Sequence, residues 1–434
     1  MRILFAATWL MWTGLQALAQ PDTAVFEIGL EFRPRTEFRD GYRVLRSDTT
    51  GPAFFTEGRS RILLDYRRPG FAFHTAIQDV RVWGEQAPAS TTGTIQVFES
   101  YVEPSLGDRL ALRLGRQRIM YDNQRLFAQN DWRQNAGSHD ALRLLYRDDR
   151  LEADLLGAFN QEQGAQNRFA GTDFSPGFKN YKALLVAYAR YRAGEHLAVI
   201  GLHASDMYQD ADSVRLHHWR HTSGGRLTYA RAGHTLTLAA YYQYGHTARG
   251  QGLSAYYLQP EWQYKARLRW TLRLGAELFS GDDGLRPSAV SRSFDALYGV
   301  NHRFLGSMDY FTRFPDDPNG VGLVAPYLFL FCDLGEKLTL RADAHLFFSQ
   351  NNFVLPGQAT AIGRFLGFEQ DLLVRFRPNS YTLLDLGYSY LLATPSMAAI
   401  KRGDLSGGRY QQWAYVMATF TPRLFRSVQI LPKG

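Results

Sequence analysis

Residues Arg109 to Arg147 read RLALRLGRQRIMYDNQRLFAQNDWRQNAGSHDALRLLYR, and the fold turns on this stretch. Leu110, Leu112 and Leu114 alternate with Arg109, Arg113 and Gly115 at its start, and Leu142, Leu144 and Tyr146 alternate with Arg143 and Arg147 at its end. Successive side chains of a strand point to opposite faces, so each end carries one apolar face and one cationic face. A water-soluble sandwich would bury the leucines and scatter the arginines in solvent. A transmembrane barrel turns the leucines to lipid and the arginines to an aqueous lumen.

The same alternation runs outward in both directions. In Val25 to Arg39, Phe26, Ile28, Leu30, Phe32 and Phe38 take one face, while Glu27, Glu31, Arg33, Arg35, Glu37 and Arg39 take the other. Ile62, Leu64 and Tyr66 alternate with Arg59, Arg61, Asp65 and Arg67 before the Arg68-Pro69-Gly70 turn. In Phe71 to Trp83 the polar phase changes between His74/Gln78 and Asp79/Arg81, which predicts a β-bulge near Gln78. Further strands are expected at 94–103, 109–117, 141–147, 151–159, 181–191, 196–204, 226–231, 235–244, 253–264, 268–279, 324–334, 338–348, 365–377, 381–392 and 410–421. Short and long polar connections alternate between them. The reading is all-β, a single antiparallel transmembrane barrel of about 18 strands. Trp83, Trp132, Trp219, Trp262, Trp270 and Trp413 fall near strand ends, as interfacial girdles require.

Targeting and composition agree. Arg2, the apolar run Ile3 to Trp12 and Ala17-Leu18-Ala19 make residues 1–19 a secretory signal peptide, leaving 20–434 as the barrel. Mean hydropathy is −0.29 and no apolar run after the signal is long enough for a transmembrane helix. Cys332 is the single cysteine, so an internal disulfide is excluded. The formal charge of +8 drops by one with Arg2, and no Lys/Arg block points to nucleic acid.

No GxSxG elbow, phosphate loop, HExxH helix or CxxC pair occurs, so no enzyme, cofactor or metal is expected. His217, His218 and His221 in HHWRH read as a loop or strand end rather than a zinc site. Asp206, Asp210 and Asp212 lack the spacing of a calcium loop. His139 beside Ser138 is the nearest hint of a barrel enzyme, one that a loop cap explains equally well, and a barrel enzyme or a surface adhesin is the reading from another class.

The positive signal is arginine on one strand parity. Arg33, Arg35, Arg61, Arg113, Arg143, Arg273, Arg341 and Arg375 sit between apolar neighbours. On the lipid face near the midplane each would cost about 2–4 kcal/mol, so the lumen is their place. Glu31, Glu37, Asp65, Glu277, Asp343, Glu369 and Asp371 share that parity and pair with many of them across strands. Arg116, Arg118, Arg125 and Arg133 lie in the long segment, which either folds back as a lumenal constriction or stands outside as a lid; Leu126 and Phe127 as apolar anchors favour the lumen. Surplus guanidiniums around a water-filled path would favour anions and grip carboxylates two bonds at a time. Phosphate, small organic acids or uronate saccharides would satisfy such a field.

The ordered pieces Arg59-x-Arg61, QDVRVWGE at Gln78 to Glu85, VFESYVEP, LGRQRIMYDNQRL, NDW and HDALRLLY resemble the alginate export family of outer-membrane barrels, especially its Bacteroidetes-like members. DALYGVNHRFLGSMDYF at Asp295 to Phe311 is similar to a second block of that family. The resemblance implies a monomeric barrel of the bacterial outer membrane with an electropositive constriction that passes alginate or another anionic saccharide. Its expected partners are outer-membrane lipid, the anionic solute and a periplasmic export protein. One departure is the C-terminus, where Phe420 and Phe425 are followed by a tail to Gly434 instead of a closing aromatic residue.

Overall fold

The period-two alternation is realised as β-structure almost throughout. A computed structural model describes residues 23–47, 49, 51–87, 94–161, 180–210, 212–213, 215–266, 269–406 and 410–431. The first half of the wall comprises β1 (Thr23–Asp40), β2 (Ala53–Arg68), β3 (Phe71–Val82), β4 (Gln96–Pro104), β5 (Leu110–Gln117), β6 (His139–Arg147), β7 (Leu151–Phe159), β8 (Ala183–Ala193) and β9 (Leu197–Gln209). The second half comprises β10 (His217–Arg231), β11 (His234–His246), β12 (Gly252–Lys265), β13 (Trp270–Phe279), β14 (Leu323–Asp333), β15 (Leu338–Ser349), β16 (Phe365–Asn379), β17 (Thr382–Ala393), β18 (Tyr410–Phe420) and β19 (Arg423–Ile430). A single helix, α1 (Pro395–Arg402), is described between β17 and β18.

From β1 to β18 every strand pairs antiparallel with its sequence neighbour, and β1 closes the sheet on itself. Its upper half, Phe32 to Asp40, pairs with β18, and its lower half, Thr23 to Gly29, pairs with β19. The Thr421-Pro422 step separates β18 from β19, because proline cannot donate to the ladder. They are two halves of one wall strand, and the molecule is a closed 18-stranded barrel. The C-terminal tail from Arg423 to Ile430 is thus wall, with Leu424 as a bulge where the register shifts at Ile28/Gly29.

Tight connections such as Pro69-Gly70, Asp148 to Arg150 and Ala232-Gly233 share one end of the barrel with both described termini. The long connections share the other end. In outer-membrane barrels these are the periplasmic and extracellular ends respectively.

Several details differ from the sequence reading. No bulge occurs in β3 against β2; the slip lies in β4, where Ala76 faces Glu99 and Ile77 faces Val97, leaving Phe98 extra. Asp79 and Arg81 keep outward parity at the extracellular rim, bonded to each other and to Thr94. β9 runs on to Gln209 and β10 begins at His217, so HHWRH is strand. Trp132 and Trp413 do not belong to a girdle. Trp413 is fully buried on the lumen side, donating Nε1 to Glu37, and Trp132 packs edge-on against it. Arg267, Leu268 and the signal segment lie outside the described residues.

Candidate functional site

Inward parity brings β1 and β2 arginines onto one patch of wall, and the long β5–β6 segment docks on it. Asp131 lies among three guanidiniums, 3.3 Å from Arg33 Nη1, 3.0 Å from Arg59 Nη1 and 3.3 Å from Arg61 Nη1. Arg33 also donates to the carbonyls of Asp131 and Arg133 and to Gln134 Oε1. Arg35 donates to the Trp132 carbonyl and pairs with Glu37 and Glu57, with its guanidinium 4.2 Å above the Trp132 ring. The segment therefore lies inside the lumen. Burial alone would raise the Asp131 carboxyl, but Arg59, Arg33 and Arg61 outweigh it and hold it well below the usual carboxylate range.

A second inward loop, residues 280–322, packs against the first. Phe127 and Tyr298 form a parallel bridge, Ala128 donates to the Tyr298 carbonyl, and Val300 donates to that of Gln124. Arg125 ties both loops to the wall: it meets Glu277 of β13 at 2.6 Å, donates to the Val300 carbonyl and lies 4.8 Å from the Phe279 ring centre. Asp295 of the second loop pairs with Arg220 of β10, and Gln243 of β11 brackets its backbone. Helix α1 adds Met397, Ala398, Ala399 and Ile400 to the same buried cluster. Its N-cap is Thr394, whose side chain accepts from Met397 N.

Gly115 shows how closely the wall is set here. Its φ of +128° suits glycine, and a Cβ would stand 2.3 Å from the Ser100 carbonyl oxygen.

The arginines singled out from sequence divide into three groups. Arg33, Arg35, Arg61, Arg125 and Arg143 are buried and committed to anchoring contacts; Arg143 pairs with Asp154 and approaches Gln117. Arg113, Arg118, Arg273, Arg341 and Arg375 are also paired, with Glu103, Glu99, Glu261, Asp343 and Asp385, yet their side chains keep 22–26% exposure inside the barrel. Arg133 is exposed and meets no carboxylate within ion-pair distance among the described residues.

Arg116 falls outside all three. The β5 ladder runs through Gln117, so strand parity sets its direction: it faces outward with Leu114 and pairs with Asp140 at 3.0 Å. At the extracellular rim such a pair is solvated, and Arg116 does not line the lumen.

Four members stand outside the pore-lining set expected from sequence. Arg59, fully buried beside Arg61, was legible from its parity. Arg226, paired with Asp122, lies in β10, and Arg220 was hidden in HHWRH. Arg303 sits on the second loop, where no parity applies. Its side chain is open to the lumen, and enclosure by the barrel, with Arg273, Arg341 and Arg226 close by, lowers its pKa to about 10. Except for Arg118, the partly exposed wall arginines lie near the periplasmic ends of their strands, below the loop plug.

Comparison with known proteins agrees with this architecture. Among solved structures, OpdQ of Pseudomonas aeruginosa superposes with a TM-score of 0.59 at 12% identity, covering 92% of this chain and 98% of that one. OccAB1 of Acinetobacter baumannii gives 0.62 at 12% identity, covering 92% and 97%. OpdL of P. aeruginosa gives 0.61 at 12%, covering 92% and 99%. At such identities the likeness is one of fold. No curated protein matches the chain in sequence. The family model described as alginate export matches residues 25–394, spanning the wall from β1 to β17 together with both inward loops. The chain belongs to the alginate export family, as a porin-like β-barrel channel of the outer membrane rather than an enzyme.

Proposed function

We propose that the barrel conducts anionic solutes passively, with uronate-containing saccharides such as alginate as its substrate class. The observation that carries this is the set of lumenal guanidiniums that keep solvent contact: Arg113, Arg226, Arg273, Arg341 and Arg375 on the wall, with Arg303 on the loop above them. Each wall member already holds a carboxylate on one edge, so its remaining N–H groups bind an incoming anion weakly and exchangeably. A polyuronate presents one carboxylate per sugar and would pass from one guanidinium to the next without a deep trap. The barrel acts as a monomer in this reading, and a periplasmic protein supplies any direction.

Single-channel recording in planar bilayers under a salt gradient tests the proposal. The reversal potential should report anion preference, and oligouronates should block the current from one side. Cation preference, or absence of conductance, would overturn it. Arg303→Glu should move the reversal potential toward cation preference; an unchanged potential counts against this residue's place on the path.

A further inference from the structure

Two rungs of the β15/β16 ladder carry a charge arrangement that a cationic lumen does not explain. Asp343 stands directly opposite Asp371, and His345 directly opposite Glu369, all four with inward parity. All four are more than nine-tenths buried. Like charges facing each other across strands destabilise a sheet. Among the described residues Arg341, paired with Asp343, is the one guanidinium within ion-pair distance of these carboxylates.

Each carboxylate is half used. Glu369 accepts from Met308 N through Oε1 at 2.7 Å, Asp371 accepts from Ser307 N through Oδ2 at 3.2 Å, and Asp343 meets Arg341 through Oδ2. Glu369 Oε2, Asp371 Oδ1, Asp343 Oδ1 and His345 Nδ1 are buried with no hydrogen-bond partner. An orphaned buried polar atom is costly, more so when charged, and Asp343, His345 and Asp371 each bring one to the same cluster. One donor atom each from Asp343, His345 and Asp371 lies within 4.8 Å of the others, and His345 Nε2 is 3.7 Å from Asp371 Oδ2. Metal bonds of about 2.0–2.2 Å put neighbouring tetrahedral ligands roughly 3.5 Å apart, so small side-chain rotations complete the geometry.

We propose that Asp343, His345 and Asp371, with Glu369 beside them, bind one divalent transition-metal ion, Zn²⁺ being the type that a mixed imidazole and carboxylate set selects. The ion neutralises the facing acids and staples β15 to β16. It sits beneath the Gly306 turn of the second loop, where φ is +85° and a Cβ would strike the Glu369 carboxylate.

The full-length barrel, purified in detergent and stripped with a chelator, is titrated calorimetrically with zinc chloride and assayed for bound metal. One equivalent should bind, and His345→Gln or Asp371→Asn should weaken it at least tenfold, on the scale at which even outer-shell changes weaken metal sites. A His217→Gln/His218→Gln variant separates the histidines of β10 and should leave that equivalent in place. If the site variants fail to fold, zinc X-ray absorption on the parent barrel reads the ligands directly, and one imidazole with carboxylates is expected. Absence of a bound equivalent, binding unchanged in the site variants, loss of the equivalent with the β10 histidines, or a ligand set lacking imidazole would overturn the proposal. So would acidification satisfying the cluster by protons alone, with no metal retained at neutral pH.

Discussion

Asp131 is the residue on which the docked segment depends most. Three inward guanidiniums converge on it, and removing its charge leaves Arg33, Arg59 and Arg61 facing one another. Breaking a fully buried pair costs about 3–5 kcal/mol, and the 31% exposure of this side chain brings the expectation for Asp131→Asn to roughly 2–3 kcal/mol of loop docking. Hydrogen exchange over 118–138 should accelerate while the strands stay protected. Because the folded pKa lies below the unfolded one, this contribution is complete above the ordinary carboxyl range and is lost as pH falls through the depressed value. Protection factors in that segment, corrected for the intrinsic pH dependence of amide exchange, should therefore be the same at pH 7 and pH 5; a marked fall in protection at pH 5 would contradict the geometry. The inward direction of Arg33 and Arg61 was legible from parity alone. Their partner was not, since nothing local in NDW says that Asp131 meets residues 98 and 70 positions earlier.

At the scale of elements, strands were legible wherever alternation was uninterrupted, and boundaries failed where it was not. Gly224-Gly225 broke the pattern of β10, so its upper half read as a loop or strand end, and it is the end of the strand. Helix α1 left no trace in the reading because a single two-turn helix between strands has too few residues to show a period. Its docking carries a pH signature. Burial is the largest influence on Lys401 and lowers its pKa to about 8, against the opposing charge of Asp317 3.6 Å away. Below that value folding keeps a charged amine out of water. The unfolded chain binds more protons between pH 8 and the ordinary lysine value of 10.5, so stability rises with pH across that window, by a few kcal/mol at most. Limited proteolysis in the β17–β18 connection should slow from pH 8 to pH 10, and Lys401→Met should remove the dependence. Equal cleavage rates for the parent chain at both pH values would refute this account.

The barrel as a whole is closed by an interrupted strand, a feature the sequence reading left open. The tail after Phe420 looked like surplus because outer-membrane strands commonly end on an aromatic residue, and here Pro422 interrupts the ladder. Closure explains it. β1 is 18 residues long and β18 only 11, so Thr23 to Gly29 would be an unpaired edge without β19. An open edge at membrane depth leaves backbone N–H and C=O groups with no water to satisfy them, each costing several kcal/mol. Inside the lumen Arg423 and Arg426 lie 3.5 and 3.1 Å from Glu27, and outside Phe425 packs on Phe26 with ring centres 6.3 Å apart. Truncation after Pro422 should therefore lower the unfolding temperature sharply and abolish the folded-form band of unheated samples on denaturing gels. Arg423→Ala with Arg426→Ala should cost far less, since both arginines are about half exposed and exposed pairs contribute little. The ordering of the two variants is the discriminating measurement. If the truncated chain were as heat-stable as the parent, β19 would be an appended strand and the ladder of β1 would have to close in another way.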